Sequence, residues 1–238
     1  MPTPPDWPGA LLRDVPRTYP TYAVRAPLAA WLRAEATAAA ARHGDTLRVL
    51  DVGCGVKPYL PFFSPVREYV GVDSVDNPAA DVHASAEDLP LPDASFDLVL
   101  CLQVLEHVER PAEAVAELRR VTAPGGRVLA STHGVQPYHP APLDLWRWTH
   151  EGLLQLFREN GAWTSLTVTP ASGTAACVGM LLATYIHHLA RRAHVAPLGR
   201  GMIALLNAAA DRIDRRAPGL LEPQPGRIFA NYHVTAVA

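Results

Sequence analysis

Two carboxylates and two glycines are the residues best placed to do chemistry. Leu50-Asp51-Val52-Gly53-Cys54-Gly55 runs from an apolar segment through an acid into a turn with one residue between its glycines. Eighteen residues beyond Gly55, Asp73 closes a second apolar run, Tyr69-Val70-Gly71-Val72. A residue without a Cβ lets the backbone turn tightly and approach a ligand. Two strands that each bring a carboxylate to one edge, with a Gly-rich turn after the first, predict a site for a nucleoside-bearing cofactor. A dinucleotide fingerprint asks for a third glycine three residues after the second, so that a helix N-terminus meets a pyrophosphate. Pro58 stands there. A ligand without phosphate fits better, and S-adenosylmethionine (SAM) is one. Asp73 can accept both ribose hydroxyl protons. Asp51 lies where it orients the turn or meets the ligand's ammonium group.

A second group of reactive side chains follows at Ser131–Thr149. His133 and His139 have pKa values near enough to neutrality to take a proton from a hydroxyl, so both are candidate catalytic bases. Tyr138, Trp146 and Trp148 could form an apolar box for an acceptor. Arg147 could anchor an anion, or pair with Asp144 within the loop. The tryptophans could equally pack the loop onto the sheet. His107 reads as a packing or cofactor-wall residue.

These groups need elements to position them. Residues 1–22 are Pro-rich and predict an extended arm; residues 23–43 predict a helix ending near Gly44. Strands are expected at Leu47–Val52, Tyr69–Asp73, Asp81–His83, Asp97–Leu102, Arg127–Ser131 and Thr164–Thr169. The helix Ala112–Val121 follows Pro111 and ends at Ala123-Pro124-Gly125-Gly126; another, capped by Thr149, runs through Asn160. The alternation predicts a mostly parallel sheet covered by helices on both faces. Ligands in such folds sit beyond the carboxyl ends of the strands, where the Ser131–Thr149 loop must lie. Residues 174–194 and 201–216 read as helices separated by Pro197-Leu198-Gly199, and Arg227–Val237 as a closing strand.

The chain has 238 residues, 49% of them apolar, enough for a full core. With 21 basic and 23 acidic residues interspersed, no basic tract suggests nucleic acid. Three scattered cysteines suggest neither a disulfide framework nor a metal site, and fit a reducing cytoplasm. The first residues do not read as a secretory leader.

The chain resembles the class I SAM-dependent methyltransferases of the small-molecule, type 11-like subgroup. The resemblance covers roughly residues 45–170. Beyond the two segments above, it rests on Ala84-Ser85-Ala86-Glu87-Asp88-Leu89-Pro90-Leu91-Pro92-Asp93-Ala94-Ser95-Phe96-Asp97, on Val104-Leu105-Glu106-His107-Val108 and on Leu118-Arg119-Arg120-Val121-Thr122-Ala123-Pro124-Gly125-Gly126. It implies a Rossmann-like seven-stranded α/β sheet with the last strand antiparallel. The organisation expected is an arm and helix at 1–44, a SAM-binding core at 45–170, a helical insertion at 171–226, and a closing strand at 227–238. The resemblance assigns Gly53, Cys54 and Gly55 to the methionine and ribose side of SAM, and Asp73 to the ribose. Ser85, Ala86 and Glu87 would border the adenine, with Ser85 where many relatives have Asp. Leu102 and Gln103 would line the pocket beneath the sulfonium. Lys57 stands where the fuller motif has a third glycine. The amino-methylating nucleic-acid enzymes carry an acid or Asn, two prolines and an aromatic after the fourth strand; Cys101-Leu102-Gln103-Val104 does not fit that pattern.

The activity implied is methyl transfer to a small-molecule acceptor, at oxygen, in biosynthetic or natural-product metabolism. Two other readings remain: a non-catalytic SAM- or nucleoside-binding partner or regulatory protein, and a methyltransferase of a lipid-like acceptor at a membrane surface. The insertion would emerge over the active site as a lid, a homodimer face or a membrane-surface attachment.

Overall fold

Near-continuous apolar runs in the central strands send side chains to both faces of the sheet and build both layers of the core. The computed structural model describes residues 7–74, 76–140 and 143–238. Strands β1 (Arg48–Val52), β2 (Glu68–Asp73), β3 (Val82–His83), β4 (Phe96–Leu102), β5 (Thr122–His133), β6 (Ser165–Pro170) and β7 (Asn231–Val237) form a seven-stranded sheet in the order β3-β2-β1-β4-β5-β7-β6. β7 runs antiparallel to β5 and β6, and the other pairs are parallel. The helices are α1 (Ala10–Arg13), α2 (Tyr22–His43), α3 (Leu60–Phe63), α4 (Pro111–Val121), α5 (His150–Glu159), α6 (Thr174–Arg192) and α7 (Ala196–Arg216). No helix among the described residues is long and apolar enough to cross a membrane.

Successive strand residues point to opposite faces. Val49, Leu98, Leu100 and Leu129 meet Leu28, Leu32, Ala36 and Ala39 of α2 on one face. Leu50, Val52, Val99, Cys101 and Val128 meet α4 and α5 on the other. Strands buried on both faces read as near-continuous apolar runs, and Leu98 to Leu102 of β4, with Val49, Leu50 and Val52 of β1, supply them. Trp31 of α2 stacks on His233 of β7, ring centroids 4.3 Å apart, and burial lowers that histidine's pKa to about 4.

Several expected boundaries shift for physical reasons. The arm is not extended throughout: residues 1–6 lie outside the described residues, and α1 with its turns occupies part of the rest. β5 starts at Thr122 and passes through the segment expected to be only a helix stop. Gly125, at φ 75°, donates its N–H to the Ala238 carbonyl and so joins the sheet. α7 begins before Pro197, because a proline in the first turn forfeits no helical hydrogen bond. Gly199 acts as a contact residue within α7; a Cβ there would lie 2.4 Å from Ala190 Cβ. β7 begins four residues later than Arg227. Thr149 caps α5, accepting from Gly152 N at 3.1 Å.

Candidate active site

The turn after β1 is held by β2. Gly53 and Cys54 donate their N–H groups to the Val72 carbonyl at 2.8 and 3.0 Å. Gly53 has φ 70°, and a Cβ there would meet Val104 Cγ2 at 2.2 Å. Gly53 therefore lets the turn pack against the loop after β4. Gly55 has φ 49° and open space where a Cβ would be, so its backbone faces the ligand edge. Its N–H donates to Asp73 Oδ2 at 3.1 Å. Asn77 Nδ2 donates to that same oxygen at 2.9 Å and to the Gly55 carbonyl at 2.7 Å. Asn77 thus couples the two residues read as the cofactor's main contacts. It carries no sequence signal of its own.

Lys57 adopts the glycine-like conformation of the motif position it occupies, with φ 50°. Its Nζ pairs with Asp81 Oδ2 at 2.6 Å, and the Gly71 N–H donates to that oxygen at 2.7 Å. Gly71 makes room, since a Cβ there would lie 2.3 Å from Lys57 Cε and 2.8 Å from Cys54 Sγ. The Cys54 thiol is buried, and burial pushes its pKa up to about 12, so Cys54 serves through packing and backbone. Asp51 is also buried. Burial raises its pKa to about 7, although the Tyr69 hydroxyl donates to it at 2.7 Å. The arm clamps this turn from outside. Trp7 Nε1 donates to the Lys57 carbonyl at 2.9 Å, and Arg13 donates to the carbonyls of Trp7, Pro8 and Pro58.

The remaining cofactor-side residues are engaged as follows. Ser85 Oγ donates to Glu87 Oε2 at 2.8 Å, and Ala86 is buried. Burial opposes ionisation of Glu87, but the Arg110 N–H at 2.5 Å, the Ser85 hydroxyl and the Arg110 charge together lower its pKa. Leu102 packs against the core beneath α2. Gln103, at φ 60°, turns its amide onto Ser131 Oγ at 2.9 Å and Asn231 Oδ1 at 3.2 Å. Its side-chain NH2 thereby ties β4 to β5 and β7, and its backbone N–H donates to the Ser131 carbonyl at 2.7 Å.

The loop after β5 is folded down on the loop after β4. Leu145 and Trp146 donate N–H groups to the Glu106 carbonyl, Trp146 Nε1 donates to the Val108 carbonyl, and the His107 Nδ1–H donates to the Leu143 carbonyl. Trp146 and Trp148 stack on each other with centroids 5.6 Å apart, and Trp148 packs against the core. Tyr138 is exposed. Arg147 makes the pairing with Asp144 that was the second of its two expected roles. Its five N–H donors are matched by Asp144 at 2.5 and 2.7 Å and by the Gln136, Pro137 and Trp146 carbonyls. The Arg147 hydrogen bonds hold the Asp144 carboxyl well below the usual range. Asp144 also accepts the His139 N–H at 2.8 Å, so Asp144 and Arg147 form the loop's brace.

The structure separates the two histidines. His139 is exposed, its ring 6.1 Å from that of His107. His133 is buried at the end of β5, and burial lowers its pKa to about 3. Its Nε2 lies 3.3 Å from Oε1 of Glu106, which is fully buried and raised to about 7 by that burial. Thr132 Oγ1 donates to Glu106 Oε2 at 2.7 Å. Low dielectric thus holds both partners toward their neutral forms. Glu106 is the site residue that sequence reasoning passed over. Its only signal is an acid directly before His107 in an otherwise apolar segment.

Residues 50–130 match the methyltransferase domain family, type 11. A probable SAM-dependent methyltransferase of Mycolicibacterium smegmatis is 38% identical over 95 residues, covering 35% of this chain and 37% of its own. The malonyl-[acyl-carrier protein] O-methyltransferase of Erwinia pyrifoliae is 37% identical over 103 residues, covering 39% of each. The matched parts thus span less than half the length of these curated relatives. Residues 50–130 form a class I SAM-dependent methyltransferase domain of the type 11 kind. The cofactor of such a domain is SAM. The fold is shared with a SAM-dependent methyltransferase of Archaeoglobus fulgidus, with a TM-score of 0.53, 15% identity, and coverage of 88% of this chain and 94% of that one. Gly55 lies open beside the Asp73 carboxylate.

Proposed function

We propose that the chain transfers the methyl group of SAM to a hydroxyl of a small-molecule acceptor, with His133 as proton acceptor. The observation that carries this reading is a set of buried polar atoms at the carboxyl ends of β4 and β5. Glu106 Oε1, His133 Nδ1 and Trp148 Nε1 have no hydrogen-bond partner among the described residues. Buried polar groups ordinarily find partners, so a polar acceptor supplies what this corner lacks.

When bound, SAM supplies an activated methyl group at its sulfonium. Asp73 holds the ribose, and the backbone of Gly53, Cys54 and Gly55 lines the methionine side. Ser85, Ala86 and Glu87 border the adenine, while Leu102 and the Gln103 backbone form the wall after β4. Asp51 orients the turn from beneath. With the Nε2 proton of His133 on the side of Glu106 Oε1, 3.3 Å away, the Nδ1 lone pair is left for the acceptor. That lone pair takes the proton the hydroxyl gives up, and Glu106, in the ionised form that its pKa of about 7 makes available, balances the imidazolium. His133 is buried, so admission of the acceptor requires the loop after β5 to lift over residues 143–148. His139 and Tyr138 stand on its exposed rim, and Trp146 and Trp148 supply its apolar side. The oxygen preference also draws on the Erwinia relative, which is named as an O-methyltransferase.

The test is transfer of labelled methyl from SAM to a panel of hydroxylated small molecules. His133→Asn is expected to lower kcat at least about a hundredfold while leaving SAM affinity within threefold (about 0.7 kcal/mol). Undiminished turnover in that variant would remove His133 from the chemistry. Intact SAM binding with no transfer to any acceptor would favour a non-catalytic binding role.

A further inference from the structure

The hairpin of α6 and α7 has two faces of opposite character. Its inner face is packed: Ala176, Cys177 and Met180 of α6 and Ala210 of α7 meet Ala23 and Val24 of α2. Its outer face is apolar and uncovered. On α6, Val178, Leu182, Tyr185 and Leu189 recur at spacings of four, three and four, which places them on one stripe. On α7, Leu198, Met202, Leu205 and Ile213, at spacings of four, three and eight, also fall on one side. Tyr185 and Leu205 are each 74% exposed, Leu189 63% and Leu198 64%. The two stripes share one side of the hairpin. Val178 and Leu182 line an apolar groove of about 350 Å³ together with Leu206, Ala209 and Ile213 of α7.

The charge around this face is one-sided. Residues 174–216 hold six arginines against two aspartates, in a chain whose net charge is −2. Both aspartates are occupied. Asp214 is buried and accepts the N–H groups of Ala175 and Ala176, and Asp211 pairs with Arg17 at 3.0 Å. Arg192 lies three residues past Leu189, and Arg212 and Arg216 lie one before and three past Ile213, so they flank the stripes. All three are exposed, and none makes an ion pair with another described residue.

We propose that this face docks on an anionic lipid bilayer. The leucines and Tyr185 enter the boundary between headgroups and acyl chains, and the flanking arginines meet lipid phosphates. The helices hold 19 and 21 residues, roughly 30 Å at 1.5 Å per residue. Neither is long and apolar enough to span the bilayer, so both lie in its plane. A second copy is the poorer occupant, because a symmetric pairing sets the unpaired arginines against their own equivalents. An anionic surface neutralises those arginines while covering the same leucines. The inference does not rest on methyl transfer.

The test is co-sedimentation of the full chain with phosphatidylcholine vesicles and with vesicles that also contain phosphatidylglycerol. Binding to the anionic vesicles is expected to exceed binding to the neutral ones at least tenfold, and to fall with added salt. Replacing Arg192, Arg212 and Arg216 together by Gln is expected to weaken it about a hundredfold. Leu189→Glu combined with Leu205→Glu is expected to abolish it. These positions are exposed, and unchanged affinity for S-adenosylhomocysteine certifies that each variant is folded and that its cofactor site is intact. No vesicle binding, or equal binding to both vesicle types, overturns the proposal. So does a wild-type dimer that the two Glu substitutions dissociate without any vesicle binding; that result gives the face to a second copy.

Discussion

At the scale of single residues, Lys57 combines a left-handed backbone with an ion pair to Asp81. Lys57→Ala loses the pair and keeps the strain, whereas Lys57→Gly loses the pair and relieves the strain. The Gly variant is therefore expected to be more stable than the Ala variant by roughly 1 kcal/mol in urea unfolding. The opposite ranking would mean that the backbone is not strained. Asp51 gives a pH signature. Burial raises its pKa to about 7, against about 4 in an unfolded chain. Between those values the native state binds more protons than the unfolded state. The stability Asp51 contributes is complete below about pH 4 and is lost as pH rises through 7. Asp51→Asn removes that loss. Relative to the wild type, the variant should gain roughly 2–4 kcal/mol between pH 4 and 8, read by denaturant unfolding without cofactor. A pH-independent difference would contradict the buried, protonated carboxyl. Asp73 and the glycines were legible in sequence because each sits at the end of its own apolar run. Glu106 was not, because its partners Thr132 and His133 arrive from β5. Arg147 showed both of its alternatives at once, and the structure adds its hydrogen bonds to Asp144 and to three loop carbonyls.

At the scale of elements, the N-terminal segment is part of the cofactor turn's support. Arg13 donates to Pro58 at 2.6 Å while also holding Pro8 and Trp7. Arg13→Ala is expected to weaken SAM binding about tenfold, the loss of roughly one net hydrogen bond's worth of preorganisation. Calorimetry showing unchanged affinity would reduce the clamp to surface decoration. The α2 helix was readable from its Ala- and Leu-rich composition and from Gly44, which caps it. Its role as the cover of one sheet face was not, since that depends on Val49, Leu98, Leu100 and Leu129 arriving from three strands. Prolines and glycines were the least reliable markers. Pro197 and Gly199 lie inside α7, and Pro124-Gly125-Gly126 inside β5. In each case a first-turn position, a helix contact or a sheet bond made the residue compatible with the element.

At the scale of the whole molecule, the strand order and the antiparallel β7 place the β1 turn, the β4 loop and the β5 loop at one edge. The parallel part of that arrangement was legible from the alternation of strands and helices, and the antiparallel last strand from the family resemblance. The orientation of the α6–α7 hairpin was not, because both of its faces are apolar and only packing against Ala23 and Val24 selects the inner one. The central claim is that the β1–β2 edge holds SAM through Asp73. Isothermal titration calorimetry of the wild-type chain and the Asp73→Ala variant with SAM tests it most directly. The account predicts one site in the wild type and affinity at least about tenfold weaker in the variant, the loss of charge-assisted hydrogen bonds to the ribose. Equal affinities, or no binding by the wild type, would contradict it.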